Sequence, residues 1–229
     1  MKELDHEGHE TARIARADAL EVQSLLIEWT VANSGAEDRR YLGMSGISKC
    51  PLYLYRQMTG TRVWTMQEHL NCYSGYLFER DVKSRLVRIG VMKFSLTSQP
   101  PGNCGSEREL IAEFDNRYRG HTDGETWEGD LVEIKSTVQP ALDRIVMDSR
   151  LPSAHFSQVQ TYMRHGGYER ALVVYVARDT GALHVEHIRF IPSTADRLDE
   201  KAKRILAAVD AGTPPACTCG RCNNDGRLK

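Results

Sequence analysis

The sequence predicts one mixed α/β domain carrying an N-terminal helical arm. Segments of helical and strand period alternate along the chain, and the composition is globular, 41% hydrophobic and 27% charged. At 229 residues the chain can bury roughly 70% of its unfolded surface, so its core needs no disulfides. No stretch approaches the ~20 consecutive apolar residues of a membrane span. The N-terminus, Met-Lys-Glu-Leu-Asp-His-Glu, has no apolar signal segment, so the chain reads as cytoplasmic. Lys and Arg number 30 against 31 Asp and Glu, so a nucleic acid would have to be met by a local patch.

The elements follow in order. Residues 10–33 place Ile14, Val22, Leu25, Leu26 and Trp29 at helical spacing, and Asn33-Ser34-Gly35 ends the pattern. This arm, residues 1–40, is expected to dock on the core rather than on a partner. Residues 41–229 form the main domain. Residues 43–48 are turn-rich, and Ser48 is placed to cap a helix carrying Cys50, Leu54 and Tyr55, with Pro51 in its first turn. A second helix is expected over 74–90, where Arg80, Lys83, Arg85 and Arg88 read as a solvated cationic face. Pro100-Pro101-Gly102-Asn103 is a loop. Strands are expected over 109–114, 118–123 and 131–135, and Gly124 and Gly129 bracket a turn that makes the last two a hairpin. A helix over 153–165, a buried strand over 171–176 and an alternating strand over 184–191 come next. The helix over 196–211 is stopped by Gly212 and Pro214-Pro215.

Chemistry concentrates in Gly120-His121-Thr122-Asp123-Gly124 and Leu131-Val132-Glu133-Ile134-Lys135. Glu133 and Lys135 are two apart on a strand, so both leave one face, while Val132 and Ile134 point into apolar packing. Asp123, ending the neighbouring strand, converges with Glu133. Two carboxylates held together repel unless a hard cation joins them, and oxygen ligands suit Mg²⁺ or Mn²⁺. A lysine beside them orients a water or stabilises phosphate charge. Those are the parts of phosphodiester hydrolysis. Taken singly, a Glu-x-Lys is a common cross-strand pair and an Asp-Gly a common turn.

Four motifs stand in order: Gly75-x-x-x-Glu79, Gly120-His121-Thr122-Asp123, Glu133-Ile134-Lys135 and Gln158-Val159-Gln160-Thr161-Tyr162. This set resembles the PD-(D/E)XK nuclease superfamily in its RecB-like branch, over about residues 43–222. The resemblance implies a restriction-endonuclease-like core, a mixed central sheet flanked by helices. It implies that Asp123 and Glu133 hold the metal with the Ile134 carbonyl, and that Lys135 is the catalytic lysine. It implies that Gln158 and Tyr162 flank the site, contacting DNA or orienting the lysine. Glu79 stands where many relatives carry His and resembles the lambda-type exonucleases, which makes it a third metal ligand. Its plain alternative is an i,i+4 partner of Lys83. His121 is set aside as a polar strand side chain, and Trp127 packs or stacks on a base.

The six cysteines are Cys50, Cys72, Cys104, Cys217, Cys219 and Cys222. The last three, spaced C-x-C-x2-C, need a fourth ligand from elsewhere. The segment from Ser48 to Tyr55 resembles the Ser-x-Cys-Pro motif of the iron–sulfur RecB-like nucleases, including the Cas-four type. That resemblance implies Cys50 as the fourth ligand and a structural [4Fe–4S] cluster stapling the domain. Zn²⁺ on four thiolates is the chemical alternative. Cys72 and Cys104 read as ordinary thiols.

The resemblance therefore implies a divalent-metal-dependent DNA exonuclease acting on single-stranded DNA from the 5′ end. The alternatives are a lambda-type exonuclease for duplex ends, and a non-catalytic DNA-binding module stapled by zinc or a cluster. Arg56 and the Arg80–Arg88 face are expected to contact DNA. Recombination or CRISPR-adaptation proteins, or further copies of the chain, are the partners such a role would bring.

Overall fold

The computed structural model describes residues 19–34, 40–60, 64–94, 107–220 and 222. Ile14, the loop at 100–103 and Cys104 lie outside them.

Two sheets organise the molecule. In the smaller, β1 (Leu42–Gly43) runs parallel to β3 (Asp115–His121), which pairs antiparallel with β2 (Glu109–Ala112). In the larger, the order is β4 (Gly124–Glu125), β5 (Leu131–Thr137), β6 (Arg170–Ala177) and β7 (Leu183–Arg189). Only β5 and β6 run parallel there, with Glu133 opposite Val173 and Lys135 opposite Tyr175. A parallel pair needs a crossover, supplied by α4 (Gln139–Asp148) and α5 (Ser153–Gly166).

Period-two alternation divides the central strands between two apolar layers. Leu131, Ala171, Val173 and Tyr175 pack with Leu54, Val159, Met163 and Ile205. These come from α2 (Pro51–Met58), α5 and α6 (Pro192–Asp210). Val132, Ile134, Leu172, Val174 and Val176 face Met92 and the Val82 and Leu86 side chains of α3 (Met66–Arg88). Both faces of β5 and β6 are covered, so β6 is almost wholly buried.

Several expectations change. The second helix begins at Met66, well before 74, because Thr65 and Glu68 form a capping box that starts it earlier. Cys50, not Ser48, occupies the N-cap of α2, with Pro51 directly after it. A short 3-10 turn at Met44–Gly46 fills the stretch before it. Helix α4 was not anticipated.

The hairpin is also different. Strand β5 pairs with the two-residue β4, whereas β3 turns away into the other sheet. Thr122 anchors that departure: its N–H donates to the Arg108 carbonyl and its hydroxyl accepts from the Arg108 N–H, both at 3.0 Å. Asp123 therefore sits at the corner between sheets and does not end the partner strand of β5.

Helix α1 (Ala19–Ala32) packs on α3, with Trp29 edge-on to Tyr73 at 5.6 Å. It joins neither apolar layer, and Leu25, Leu26 and Trp29 stay more than half exposed, at 51%, 62% and 54%. No described helix is long and apolar enough to cross a membrane.

Candidate active site

A cleft of about 280 Å³ opens where the two sheets meet. Its walls include Glu79, Asp123, Glu133, Ile134, Lys135, Gln158 and Tyr162, so the residues of all four sequence motifs converge in one place. His121 lines it as well.

Strand β5 supplies the centre. Glu133 is buried, at 1% exposure, and Lys135 Nζ lies 2.6 Å from its Oε1. The Gln158 amide donates to the same oxygen at 2.7 Å. Glu133 Oε2 is buried with no hydrogen-bond partner. A buried carboxylate oxygen left unpartnered is costly, and a cation is what it lacks.

Asp123 reaches this centre from the sheet corner. Strand β4 stops pairing at Gly124, opposite Val132. The next N–H on that edge of β5 belongs to Ile134, and Asp123 Oδ2 accepts it at 2.6 Å. One carboxylate thus completes the ladder that β3 abandons.

The electrostatics follow from crowding. Burial, then the charges of Glu133 and Glu79, push the Asp123 carboxyl well above the usual carboxylate range. Burial also raises Glu133, against the opposing pull of Lys135. Lys135 is held above its ordinary value: burial opposes its charge, but Glu133 and Asp123 outweigh it. Two carboxylates that resist ionisation beside a protonated lysine form a site poised for a divalent cation. The donor set is all oxygen, which fits Mg²⁺ or Mn²⁺.

Helix α5 holds the far wall. Gln158 and Tyr162 are one helical turn apart and share a face. The Tyr162 hydroxyl meets Gln158 and the His121 backbone. Its ring lies so close to Gly120 that a Cβ there would stand 2.6 Å from Cε1. Gly120 is needed because nothing larger fits beneath the ring.

One participant was misread. Lys83 is no part of a solvated face: it is 1% exposed, with Nζ 2.5 Å from Glu79 Oε1 and 2.6 Å from Glu107 Oε1. The i,i+4 pairing of Glu79 with Lys83 is present, and Glu79 lines the cleft too. Glu107 was not anticipated. Arg85 pairs with Asp81 at 2.6 Å on the solvent side of α3, and Trp127 is 63% exposed on the β4–β5 turn.

No family model matches the sequence, and no curated protein matches it either. Solved structures do. LHK-Exo in complex with dAMP superposes with a TM-score of 0.59 at 15% identity, over 81% of this chain and 93% of that one. The chain has the fold of an alkaline exonuclease. A second structure of LHK-Exo, the alkaline exonuclease from Laribacter hongkongensis, gives 0.57 at 15% identity, with the same coverages of 81% and 93%. The structure of SSO0001 gives 0.52 at 15% identity, over 80% of this chain and 86% of that one. The restriction-endonuclease-like core expected from the motifs is therefore present, a mixed α/β architecture with helices flanking its sheets.

The exonuclease fold carries a second cluster away from its cleft. The Cys50, Cys217, Cys219 and Cys222 sulfurs all lie within 4.8 Å of one another. Successive Sγ–Sγ separations are 3.9 Å from Cys50 to Cys217, 3.6 Å from Cys217 to Cys219 and 3.5 Å from Cys219 to Cys222. The described cysteines form no disulfide. Cys50 sits at the start of α2, and despite its burial the Thr218 and Leu52 backbone hydrogen bonds lower its thiol to about 5. Thiolate character and convergence make this a metal-binding group.

Proposed function

We propose that the protein is a divalent-metal-dependent DNA exonuclease. The observation that carries the reading is the convergence of Asp123, Glu133 and Lys135 in one cleft, with Glu133 Oε2 buried and unpartnered. The shared fold with alkaline exonucleases supports it. Asp123, Glu133 and the Ile134 carbonyl would hold Mg²⁺ or Mn²⁺. When bound, that ion supplies the Lewis acidity that phosphodiester hydrolysis needs.

The remaining work falls to side chains. Lys135, protonated and 22% exposed, presents positive charge where a phosphate oxygen or attacking water would sit. Gln158 orients Glu133 by donating to its Oε1, which leaves Oε2 for the cation. Tyr162 closes the wall behind them and keeps Gly120 and His121 in place.

The proposed substrate is single-stranded DNA entered from the 5′ end. The Glu79 helix match favours duplex ends as the alternative. Digestion of end-labelled single- and double-stranded DNA with Mg²⁺, Mn²⁺ or EDTA, comparing wild type with Lys135→Ala, tests both. Metal-dependent release of nucleotides that the variant loses supports the nuclease, and the label gives strand and polarity. Metal-independent binding without cleavage would point to the DNA-binding module instead.

At the cysteine group, the spacing supports Zn²⁺ over the [4Fe–4S] cluster. A tetrahedral ion with ~2.3 Å bonds sets sulfurs about 3.8 Å apart, close to the separations here. A cubane places each thiolate on a separate iron, with sulfurs roughly 6 Å apart. The expected preparation is colourless with one zinc per chain. A brown protein containing four irons would overturn this assignment.

A further inference from the structure

Lys83 is the least explained charge in the cleft region. It comes from α3, on the turn before the apolar residue Leu86, and is 1% exposed. Its ammonium sits between two carboxylates from different parts of the chain, 2.5 Å from Glu79 and 2.6 Å from Glu107. Burial works against its charge, but Asp123, Glu79 and Glu107 together hold it firmly protonated.

The cleft is lined by Glu79, Glu107, Asp123 and Glu133. On composition alone it could take two divalent ions about 3.5–4 Å apart, as many phosphodiester-cleaving sites do. Lys83 stands where Glu79 and Glu107 would otherwise serve the second. For either carboxylate to turn to a metal, it must leave an ammonium that has almost no access to water. Breaking a buried pair in that way strands a charge, which is strongly unfavourable. The charge balance agrees: four carboxylates and the two ammonium groups of Lys83 and Lys135 leave two negative charges, which one divalent ion neutralises.

We infer that Lys83 is a fixed internal cation that withholds Glu79 and Glu107 from the metal, so that the DNA-free cleft loads one divalent ion on Asp123 and Glu133. This rests on the proposed metal-dependent reading of the same cleft. It makes Lys83 a positioning residue, and it revises the role that the resemblance implied for Glu79.

Calorimetric titration with Mn²⁺ in the absence of DNA tests it, with Asp123→Asn as the reference that subtracts ions held elsewhere. Wild type is expected to bind one Mn²⁺ that Asp123→Asn does not. Lys83→Met frees both glutamates and is expected to bind a second. Glu79→Gln, which leaves Lys83 paired with Glu107, is expected to keep the wild-type Mn²⁺ affinity within threefold. That variant decides the matter if Lys83→Met does not fold. Two Mn²⁺ ions on wild type, or a tenfold loss of affinity in Glu79→Gln, would overturn the inference. Failure of the underlying reading looks different: wild type and Asp123→Asn would then titrate alike.

Discussion

Gln158 and Glu133 meet through a single hydrogen bond of 2.7 Å, and it decides which Glu133 oxygen is free. Because Gln158 and Lys135 share Oε1, Oε2 alone remains for a cation. Gln158→Ala should release that constraint without opening the core, since α5 keeps Val159 and Met163 in place. Mn²⁺ affinity and kcat should each fall about 10–100-fold. The melting temperature should move by only a few degrees. A kinetic series against metal concentration checks it.

Asp123 and Glu133 are strained by their own charge when no cation is present. Their carboxyls are pushed up in the folded chain, so folding binds protons that the unfolded chain has released. Stability of the metal-free protein is therefore full below the ordinary carboxylate pKa. It declines as pH rises from there through the raised values. Asp123→Asn should flatten that decline and raise metal-free stability by about 1 kcal/mol at neutral pH, while abolishing cleavage. Melting curves in EDTA from pH 4 to pH 8 measure the first effect.

His155 gives the opposite slope. Its Nδ1 lies 2.9 Å from the Tyr175 hydroxyl, and burial, helped by Lys135, lowers its pKa to about 4. The unfolded chain binds the proton more readily, so this contribution is present above the ordinary histidine pKa and lost as pH falls toward 4. Allowing for partial exposure, wild type should lose about 1–2 kcal/mol more than His155→Gln between pH 7.5 and pH 4.5. Urea midpoints at the two values test it.

The cysteine group ties Cys50 to Cys217, which are 167 residues apart in sequence. A link closing so long a loop restricts the unfolded chain, by about 5 kcal/mol in the chain-entropy estimate. Cys219→Ala should release the metal and lower the melting temperature by roughly 10 °C or more. Unchanged thermal stability in a metal-free variant would remove the structural role.

Gly120→Ala probes the wall of the cleft. The added methyl would meet Tyr162 at 2.6 Å and Met44 at 3.1 Å. Overpacking of this kind costs about 1–3 kcal/mol. Because Tyr162 borders the same hydrogen bonds as Gln158, activity should fall further than stability. Tyr162→Phe keeps the ring and should leave stability nearly unchanged, which separates the two effects.

Much of this was legible in the chain, for identifiable reasons. Glu133 and Lys135 were readable as neighbours because strand period alone places i and i+2 on one face. Gln158 and Tyr162 were readable because helical period does the same for i and i+4. The pairing of β3 was not, since the glycines at 124 and 129 mark where the chain reverses but not which strand continues beyond the reversal. The Thr122–Arg108 bonds that draw β3 away join residues with nothing in the sequence to link them. Lys83 was misread because a run of cations looks solvated until the neighbouring apolar positions are considered. Val82 and Leu86, one before it and three after, mark its side of α3 as the buried one. The start of α3 was readable in Thr65-x-x-Glu68, although only the later part of the helix was assigned.

The corner at Asp123 has one more consequence. Gly120, His121 and Asp123 arrive with or just after the small sheet, and Glu133 and Lys135 with the large one, so the reacting groups lie on opposite banks of a seam. The Asp123–Ile134 hydrogen bond is a stitch across it. Distance between the two carboxylates is then a direct gauge of how the sheets are aligned. A substitution at Met44 or Leu42, far from any charge, would tilt the small sheet and pull the banks apart. In this architecture the machinery can be disarmed by misalignment alone, with every acidic and basic group still intact.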